Sequence, residues 1–267
     1  MIATAERFAV RRLPRVRLAG VRVDVVHCLA PEDLLRPLLR QPVCQQVITA
    51  NANYLRLATR DAELRSIIET AALVVPDGAP LVWAARLAGA PASRRVTGHD
   101  LTQALVRLSA SEGFSLFLLG AAPGVAQRAS ETMRKLSPGA RIAGTYSPSL
   151  SAYPFPEEEN RRMVEAVNES GAAALLVALG CPKQDRWLAT HRAGLRPSLA
   201  IGVGGVLDVM AGDLVRAPIW AQRAGLEWLH RALQEPRRLL PRYILDALFL
   251  SRVLLGSGTS RLIGAGR

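Results

Sequence analysis

The chain is poor in cysteine and lacks long apolar runs, and each shortage excludes a class of protein. Its three cysteines, Cys28, Cys44 and Cys181, are widely spaced among 267 residues. They form neither a disulfide framework nor a zinc-ligand pattern, which favours a reduced, cytosolic protein. No apolar run approaches the ~18–20 residues of a membrane-spanning helix. No apolar segment follows the N-terminal arginines either, so we expect no secretory signal.

Metal-binding patterns are missing as well. The sequence contains no Asp-x-Asp, the carboxylate pair that often holds a divalent ion on a nucleotide diphosphate. No spacing of histidine, cysteine or glutamate indicates a metal site. We therefore expect no metal and no other cofactor. If a diphosphate leaves during the reaction, arginine, lysine and helix dipoles must neutralise it.

What the chain has in excess is arginine, concentrated at both ends. Of the net charge of +12, residues 216–267 supply +6 (nine arginines against three acidic residues) and residues 1–22 supply +5 (six arginines against one glutamate). Basic ends on a nearly neutral body indicate a polyanionic partner, either nucleic acid or anionic lipid. A general arginine bias is the alternative, because 32 of the 34 basic residues are arginine.

Short apolar runs alternate with amphipathic helical patterns, which predicts an α/β fold with a mostly parallel, Rossmann-like sheet flanked by helices. The predicted strands are Val21–Val26, Gln46–Thr49, Leu73–Val75, Ser115–Leu119, Arg141–Ala143, Ala174–Leu179 and Ser198–Val203. The predicted helices are Pro31–Leu39, Asn53–Thr70, Ala79–Leu87, Leu101–Ser111, Gly124–Leu136, Glu157–Asn168 and Gln184–His191. We expect a basic arm (1–16), an α/β domain (17–210) and a helical appendage (211–267).

Ligands of such sheets bind beyond the carboxyl ends of the strands, so the residues there are the candidates. Thr49, Asn51 and Asn53 follow the second strand and either line a pocket or cap the next helix. Asp77 follows the third strand, where it is a candidate general base or, again, a helix cap. Arg95 has no local partner that requires it and is a candidate phosphate ligand.

The later strands end in glycine turns that suit phosphate. Gly120 precedes a helix start whose bare amides favour an anion, although an ordinary strand–helix turn explains it too. Lys183 and Gln184 begin a helix, where a lysine is unfavourable unless an anion or carboxylate compensates it. Gly204, which lies within a glycine-rich turn, and Asp208 follow the last strand. This segment either binds a diphosphate or forms a tight turn of the core.

Taken together, these motifs resemble the WecG/TagA/CpsF glycosyltransferases, also called glycosyltransferase family 26. The motifs run in order across residues 40–245: TxNxN, VPDG, VWAxR, RVTGxD, LLGxxPGVA, GxPKQ, GVGxxxD, RAPxW, GLEWxxR, EPRR and RY. The resemblance implies an inverting, metal-independent enzyme with a Rossmann-like fold. Its donor would be a UDP-sugar, often of the N-acetylmannosamine type, and its acceptor a polyprenyl-diphosphate-linked saccharide in cell-surface or exopolysaccharide synthesis.

The resemblance also implies residue roles. It matches Asp77 to the catalytic base, and Thr49, Asn51 and Gln184 to the sugar-nucleotide pocket. The acceptor diphosphate would be bound by arginines of the appendage, namely Arg216, Arg223, Arg231, Arg237 and Arg238. Asp185 replaces the usual glutamate after PKQ, a change that we expect to be nearly silent. Ala79-Pro80 replaces a more flexible stretch after the DG motif, and we expect this change to alter the acceptor fit.

The last helical pattern, Pro236–Leu255, predicts a helix in the interface of an anionic membrane, so that the protein is peripheral on the inner face of the cell membrane. Apolar residues (Leu239, Ile244, Leu248 and Leu255) would point into the membrane. Arginines (Arg237, Arg238, Arg242 and Arg252) would meet the headgroups. Packing on the α/β body and a contact in a homo-oligomer are the alternatives.

Two other function classes share some of these features. A nicotinamide-dependent oxidoreductase would show G-x-G-x-x-G followed by an acidic residue ~20 positions later, and this chain does not. A nucleic-acid binder would interleave basic residues with exposed aromatics, yet aromatics make up only 5% of the chain. We therefore expect no nucleic-acid partner.

Overall fold

The computed structural model describes residues 13–26, 29–90, 93–149, 153–255 and 261–263. Most of the predicted basic arm, residues 1–12, lies outside the described residues, as do Cys28 and the side chains of Arg238 and Leu255. Within the described part, no helix combines the length and the apolar character that crossing a bilayer needs.

A six-stranded sheet forms the centre of the fold, in the order β4-β3-β8-β7-β5-β6. The pairs β3–β8, β8–β7, β7–β5 and β5–β6 are parallel. Every residue of β7 and β8 is buried, as expected where helices cover both faces of a sheet. The α/β prediction is therefore confirmed. The strands are β3 (Gln45–Ala50), β4 (Leu73–Pro76), β5 (Ser115–Gly120), β6 (Arg141–Tyr146), β7 (Ala174–Ala178) and β8 (Leu199–Gly202).

A second, three-stranded antiparallel sheet has the order β2-β1-β9. The prediction that Val21–Val26 joins the parallel sheet is wrong. Ala19 and Gly20 both have positive φ, and their turn folds Val21 back onto Leu18. The strands are β1 (Arg15–Leu18), β2 (Val21–Asp24) and β9 (Arg261–Ile263).

Twelve α-helices occur in the described part of the chain. Of the helices whose bounds were predicted, all but one begin and end within three residues of those bounds. The exception is Asn53–Thr70, which is two helices rather than one. The side chain of Asp61 accepts a hydrogen bond from the Leu64 amide at 3.0 Å and so starts a new helix after a turn. The helices are α1 (Pro31–Leu39), α2 (Ala52–Ala58), α3 (Ala62–Thr70), α4 (Ala79–Leu87), α5 (Gly98–Glu112), α6 (Val125–Leu136), α7 (Glu157–Glu169), α8 (Lys183–His191), α9 (Val206–Ala211), α10 (Ile219–Arg223), α11 (Glu227–Gln234) and α12 (Pro236–Leu255).

The chain divides into two compact units. The first takes its described residues from 1–29, 49–97 and 215–267, and the second from 30–48 and 98–214. In the first unit, α12 packs against α2, α4 and α11. In the second unit, α6 packs against α9, β5 and β6. The boundaries predicted after residues 16 and 210 stay a prediction.

Candidate functional site

In the first unit, the predicted base lies at the carboxyl end of β4. Asp77 follows the strand directly and is partly exposed. Its backbone N–H donates a hydrogen bond to the Ala50 carbonyl at 2.6 Å, which joins the ends of β3 and β4. Thr49, the residue before Ala50, is also partly exposed. The structure therefore brings Asp77 next to the carboxyl end of β3, the strand that carries Thr49.

The two asparagines of the TxNxN motif have protein partners. Asn51 caps α2, because its Oδ1 accepts the Tyr54 amide at 3.1 Å. The Oδ1 of Asn53 accepts a hydrogen bond from Arg56 Nη2 at 2.8 Å. Capping therefore accounts for the side-chain oxygen of Asn51, whereas the oxygen of Asn53 is held by the side chain of Arg56. A ligand-binding role would fall to their Nδ2 groups.

Arg95 has an ion-pair partner that the local sequence did not reveal. Its Nη1 lies 2.8 Å from Oε2 of Glu227. The other carboxylate oxygen, Oε1, lies 3.7 Å from Nε of Arg216. Glu227 lies 132 residues from Arg95 in the sequence, so it is not a local partner, and the role of Arg95 as a phosphate ligand stays a prediction. Glu227 thus holds Arg95, a predicted phosphate ligand, beside Arg216, a predicted ligand of the acceptor diphosphate. The sequence indicated Glu227 only through its place in the GLEW motif.

The appendage arginines that the structure describes differ in their burial and in their partners. Arg216 shares the carboxylate of Glu227 with Arg95. Arg223 is exposed at the end of α10, Arg231 is partly buried on α11, and Arg237 is exposed on α12. Their predicted role in binding the acceptor diphosphate stays a prediction.

In the second unit, three strands end at the same level. Gly120 of β5 lies opposite Ala178 of β7, and Val177 of β7 lies opposite Gly202 of β8. The turns that follow these strands therefore share one edge of the sheet. Asp208 lies partly buried on α9, in the first turn after the glycines.

Gln184 connects the start of α8 to the glycine turn after β8. Its Oε1 accepts the Gly204 amide at 3.1 Å. A Cβ atom at Gly202 would lie 2.5 Å from Gln184 Nε2, so only glycine permits this approach. The structure thus brings two predicted ligands, Gln184 and Gly204, into direct contact. Asp185, which stands where the family usually has glutamate, is buried beside Gln184, and its carbonyl accepts a hydrogen bond from Gln46 at 3.2 Å.

Lys183 lies at the first position of α8, and its ammonium is 5.1 Å from the centre of the Tyr153 ring. A cation–π contact of this kind stabilises the charge without an anion. It is therefore a second explanation for a lysine at a helix N-terminus. In the residues that the structure describes, no three histidine, cysteine, aspartate or glutamate side chains are grouped to hold a metal ion.

The terminal helix α12 has two apolar faces. Leu239 is buried, so the prediction that it points into a membrane is wrong, because it packs inside the first unit. Ile244 and Leu248 are exposed, as that prediction requires. Arg237 and Arg252 are exposed, whereas Arg242 is partly buried and lies 3.4 Å from Asn51 Oδ1.

The GxPKQ and VPDG motifs thus lie at strand ends, and known proteins resemble this chain. The model of the glycosyl transferase WecG/TagA/CpsF family matches residues 16–261. The chain belongs to this family. A relative of this WecG/TagA/CpsF protein from Bacillus spizizenii is named N-acetylglucosaminyldiphosphoundecaprenol N-acetyl-beta-D-mannosaminyltransferase. It is 30% identical over 207 residues, which cover 76% of this chain and 78% of the relative.

The family resemblance drawn from the motifs is therefore confirmed, and the protein is a glycosyltransferase. The oxidoreductase and nucleic-acid-binding alternatives gain no support from the comparisons.

Proposed function

We propose that the protein is an inverting transferase acting on a UDP-sugar. It moves an N-acetylhexosamine of the N-acetylmannosamine type, or a hexose, onto a polyprenyl-diphosphate-linked saccharide in cell-surface or exopolysaccharide synthesis. The name of the Bacillus spizizenii relative supports this proposal, because it specifies a mannosaminyl group and a diphosphoundecaprenol acceptor. The observation that carries the proposal is the position of Asp77, a partly exposed residue directly after a strand of the sheet.

The proposed reaction is one displacement. The acceptor hydroxyl oxygen attacks the anomeric carbon while the bond from that carbon to the diphosphate oxygen breaks. Asp77 takes the proton from the hydroxyl, and UDP leaves with the electron pair, so the anomeric configuration inverts. No metal is needed in this scheme, since cationic side chains and backbone amides neutralise the departing UDP.

We propose that polar residues of each unit bind substrate. In the second unit, these are the strand-end residues Gly120, Lys183, Gln184, Gly204 and Asp208. In the first unit, they are Thr49, Asn51 and Asn53. Arg95 and Arg216, held by Glu227, together with Arg223, Arg231, Arg237 and Arg238, bind phosphate groups.

We also propose that the first unit lies on the anionic inner face of the cell membrane. Large apolar side chains are exposed on α10, α11 and α12, next to exposed arginines. Such amphipathic helices bind the membrane interface through apolar burial and through attraction to anionic lipids. The exposed apolar residues are Ile219, Trp220, Trp228, Leu229, Leu233, Leu240, Ile244, Leu245 and Leu248.

Replacing the proposed base tests the reaction. Asp77→Asn keeps the shape of the side chain but cannot take a proton, so turnover should fall by roughly 10²–10⁴-fold. UDP affinity should stay near that of the wild type. Turnover is measured as UDP release from a panel of UDP-sugars with a lipid-linked acceptor, and UDP affinity by calorimetry.

The control is Asp213→Asn, which changes an exposed carboxylate of the second unit and should keep full turnover. Full turnover in Asp77→Asn would contradict the assignment of the base. Loss of wild-type turnover on adding EDTA would contradict metal independence.

A further inference from the structure

A groove in the first unit combines arginines with exposed leucines. It lies between the carboxyl end of α2 and the last turns of α12 and has a volume of about 270 Å³. We call it the α2–α12 groove. Its basic side is formed by Arg56, Arg60 and Arg252, and its apolar side by Leu245, Leu248 and Phe249.

Two of the three arginines keep their full charge available to a ligand. Arg56 is paired with Asp246, at 2.8 Å between Nε and Oδ1. Arg60 and Arg252 are exposed and form no ion pair within the described residues. The groove therefore carries two uncompensated positive charges beside an internal salt bridge.

The helix end beneath the groove does not repel an anion. The carbonyl groups at the carboxyl end of a helix carry partial negative charge. Here Arg65 covers them, with Nε 3.2 Å from the Ala58 carbonyl oxygen and Nη2 2.9 Å from that of Thr59. The nearby carboxylate of Asp61 accepts the Leu64 amide as a helix cap.

The apolar side of the groove belongs to the exposed face of α12. Leu245 and Leu248 are 51% and 52% exposed. A small soluble anion such as phosphate would leave these leucines in water. A phosphate group attached to a hydrocarbon chain would satisfy both sides, because arginine binds phosphate oxygens in a planar fork and the leucines would cover the first methylene groups.

We propose that the α2–α12 groove is a headgroup site for an anionic glycerophospholipid of the membrane. Arg60 and Arg252 bind the phosphodiester oxygens, and Leu245, Leu248 and Phe249 contact the start of an acyl chain. The inference rests on the proposed membrane association and adds to it a defined lipid site. The site uses none of the arginines assigned to the acceptor diphosphate.

Flotation of the full chain with lipid vesicles tests the site. The variant Arg60→Gln/Arg252→Gln should bind vesicles of phosphatidylcholine with phosphatidylglycerol about 20–30-fold more weakly than the wild type, since each basic residue near such a surface contributes roughly fivefold. The matched control, Lys135→Gln/Arg196→Gln, removes the same charge from exposed positions of the second unit and should bind like the wild type. With phosphatidylcholine alone, all three proteins should bind equally weakly.

Equal loss in both double variants would overturn the proposal, because it would show that only diffuse charge matters. No loss in Arg60→Gln/Arg252→Gln would overturn it as well. The melting temperatures of both variants should match that of the wild type, since all four side chains are exposed.

A second assay separates this site from the proposed reaction. With a short-chain, water-soluble acceptor and no vesicles, Arg60→Gln/Arg252→Gln should keep the wild-type kcat and KM. A raised KM for that acceptor would assign the groove to the acceptor and overturn the proposal. If the wild type itself released no UDP, the proposed function would fail, while the flotation comparison would still decide the lipid site.

Discussion

The buried carboxylate of Asp246 should hold the terminal helix onto the first unit. Its side chain is 7% exposed. It pairs with Arg56 at 2.8 Å and with Arg242 at 3.6 Å. These arginines also contact the asparagines of the TxNxN motif, Arg56 at Asn53 and Arg242 at Asn51. Asp246→Asn keeps the size of the side chain and removes its charge, so two arginines lose their shared partner.

The expected loss of stability in Asp246→Asn follows from the burial of the Asp246 side chain. Removing one partner of a buried ion pair typically costs 3–5 kcal/mol, because a buried charge is left uncompensated. Arg56 and Arg242 are 19% and 32% exposed, so water reaches both. We therefore expect the lower end, about 3 kcal/mol. In a chain of this size, that corresponds to a fall of roughly 6–12 °C in melting temperature.

The assay compares two carboxylates of the same chain. Asp213 pairs with Arg128, but the two side chains are 43% and 48% exposed, so Asp213→Asn should cost less than about 1 kcal/mol. Melting is followed by circular dichroism, and detachment of α12 by limited proteolysis. Equal melting temperatures for the two variants would refute the idea that Asp246 anchors the helix.

Two further predictions concern packing and pH. A Cβ at Gly225 would lie 2.7 Å from Ala79 Cβ, so Gly225→Ala should cost about 1–3 kcal/mol by overpacking and lower turnover by displacing the helix that follows Asp77. The control Gly212→Ala shares the positive φ but meets no atom within 4 Å, and it should be milder in thermal melts; equal effects would contradict the packing argument. Burial raises the pKa of the Cys44 thiol from 9.0 to about 11. Between these pH values the unfolded chain loses a proton that the folded chain keeps. The free energy of unfolding therefore falls by about 2–3 kcal/mol as the pH rises through this window. Urea unfolding should show a flatter pH slope in this window for Cys44→Ala but not for Cys181→Ala, and identical slopes would contradict the shift.

The central sheet could be predicted because most of its strands read as short apolar runs, and β4, β7 and β8 are buried along their whole length. The strand β2 was assigned to the wrong sheet, although valine alternates with Arg22 and Asp24 along it. Alternation is typical of antiparallel strands with one polar face. In β2 even these polar residues are buried, and they satisfy each other. Arg22 Nη2 lies 2.7 Å from Asp24 Oδ2, and the same oxygen accepts the Val74 amide at 2.8 Å.

The positions of the candidate residues could be predicted, but their partners could not. Strand ends and helix starts are local features, and they located Asp77 and Gln184. Ion pairs depend on segments that are distant in the sequence. Arg95 meets Glu227, 132 residues later, and Arg56 meets Asp246, 190 residues later. No local pattern indicates which of the many arginines is neutralised.

The terminal helix α12 shows how an ion pair between distant residues affects the predicted function. Leu239, Asp246, Leu250 and Val253 share its buried face, whereas Leu240, Ile244 and Leu248, spaced by four residues, lie on its exposed face. From the sequence alone, the face of α12 that carries the Asp246 carboxylate would be expected to point to solvent. Asp246 is nevertheless buried because Arg56 and Arg242 pair with it. For α12 to leave the protein and enter a bilayer, Asp246 would have to separate from Arg56 on α2, which costs several kcal/mol. The membrane contact that we propose is therefore made by the outer face of a helix that stays docked.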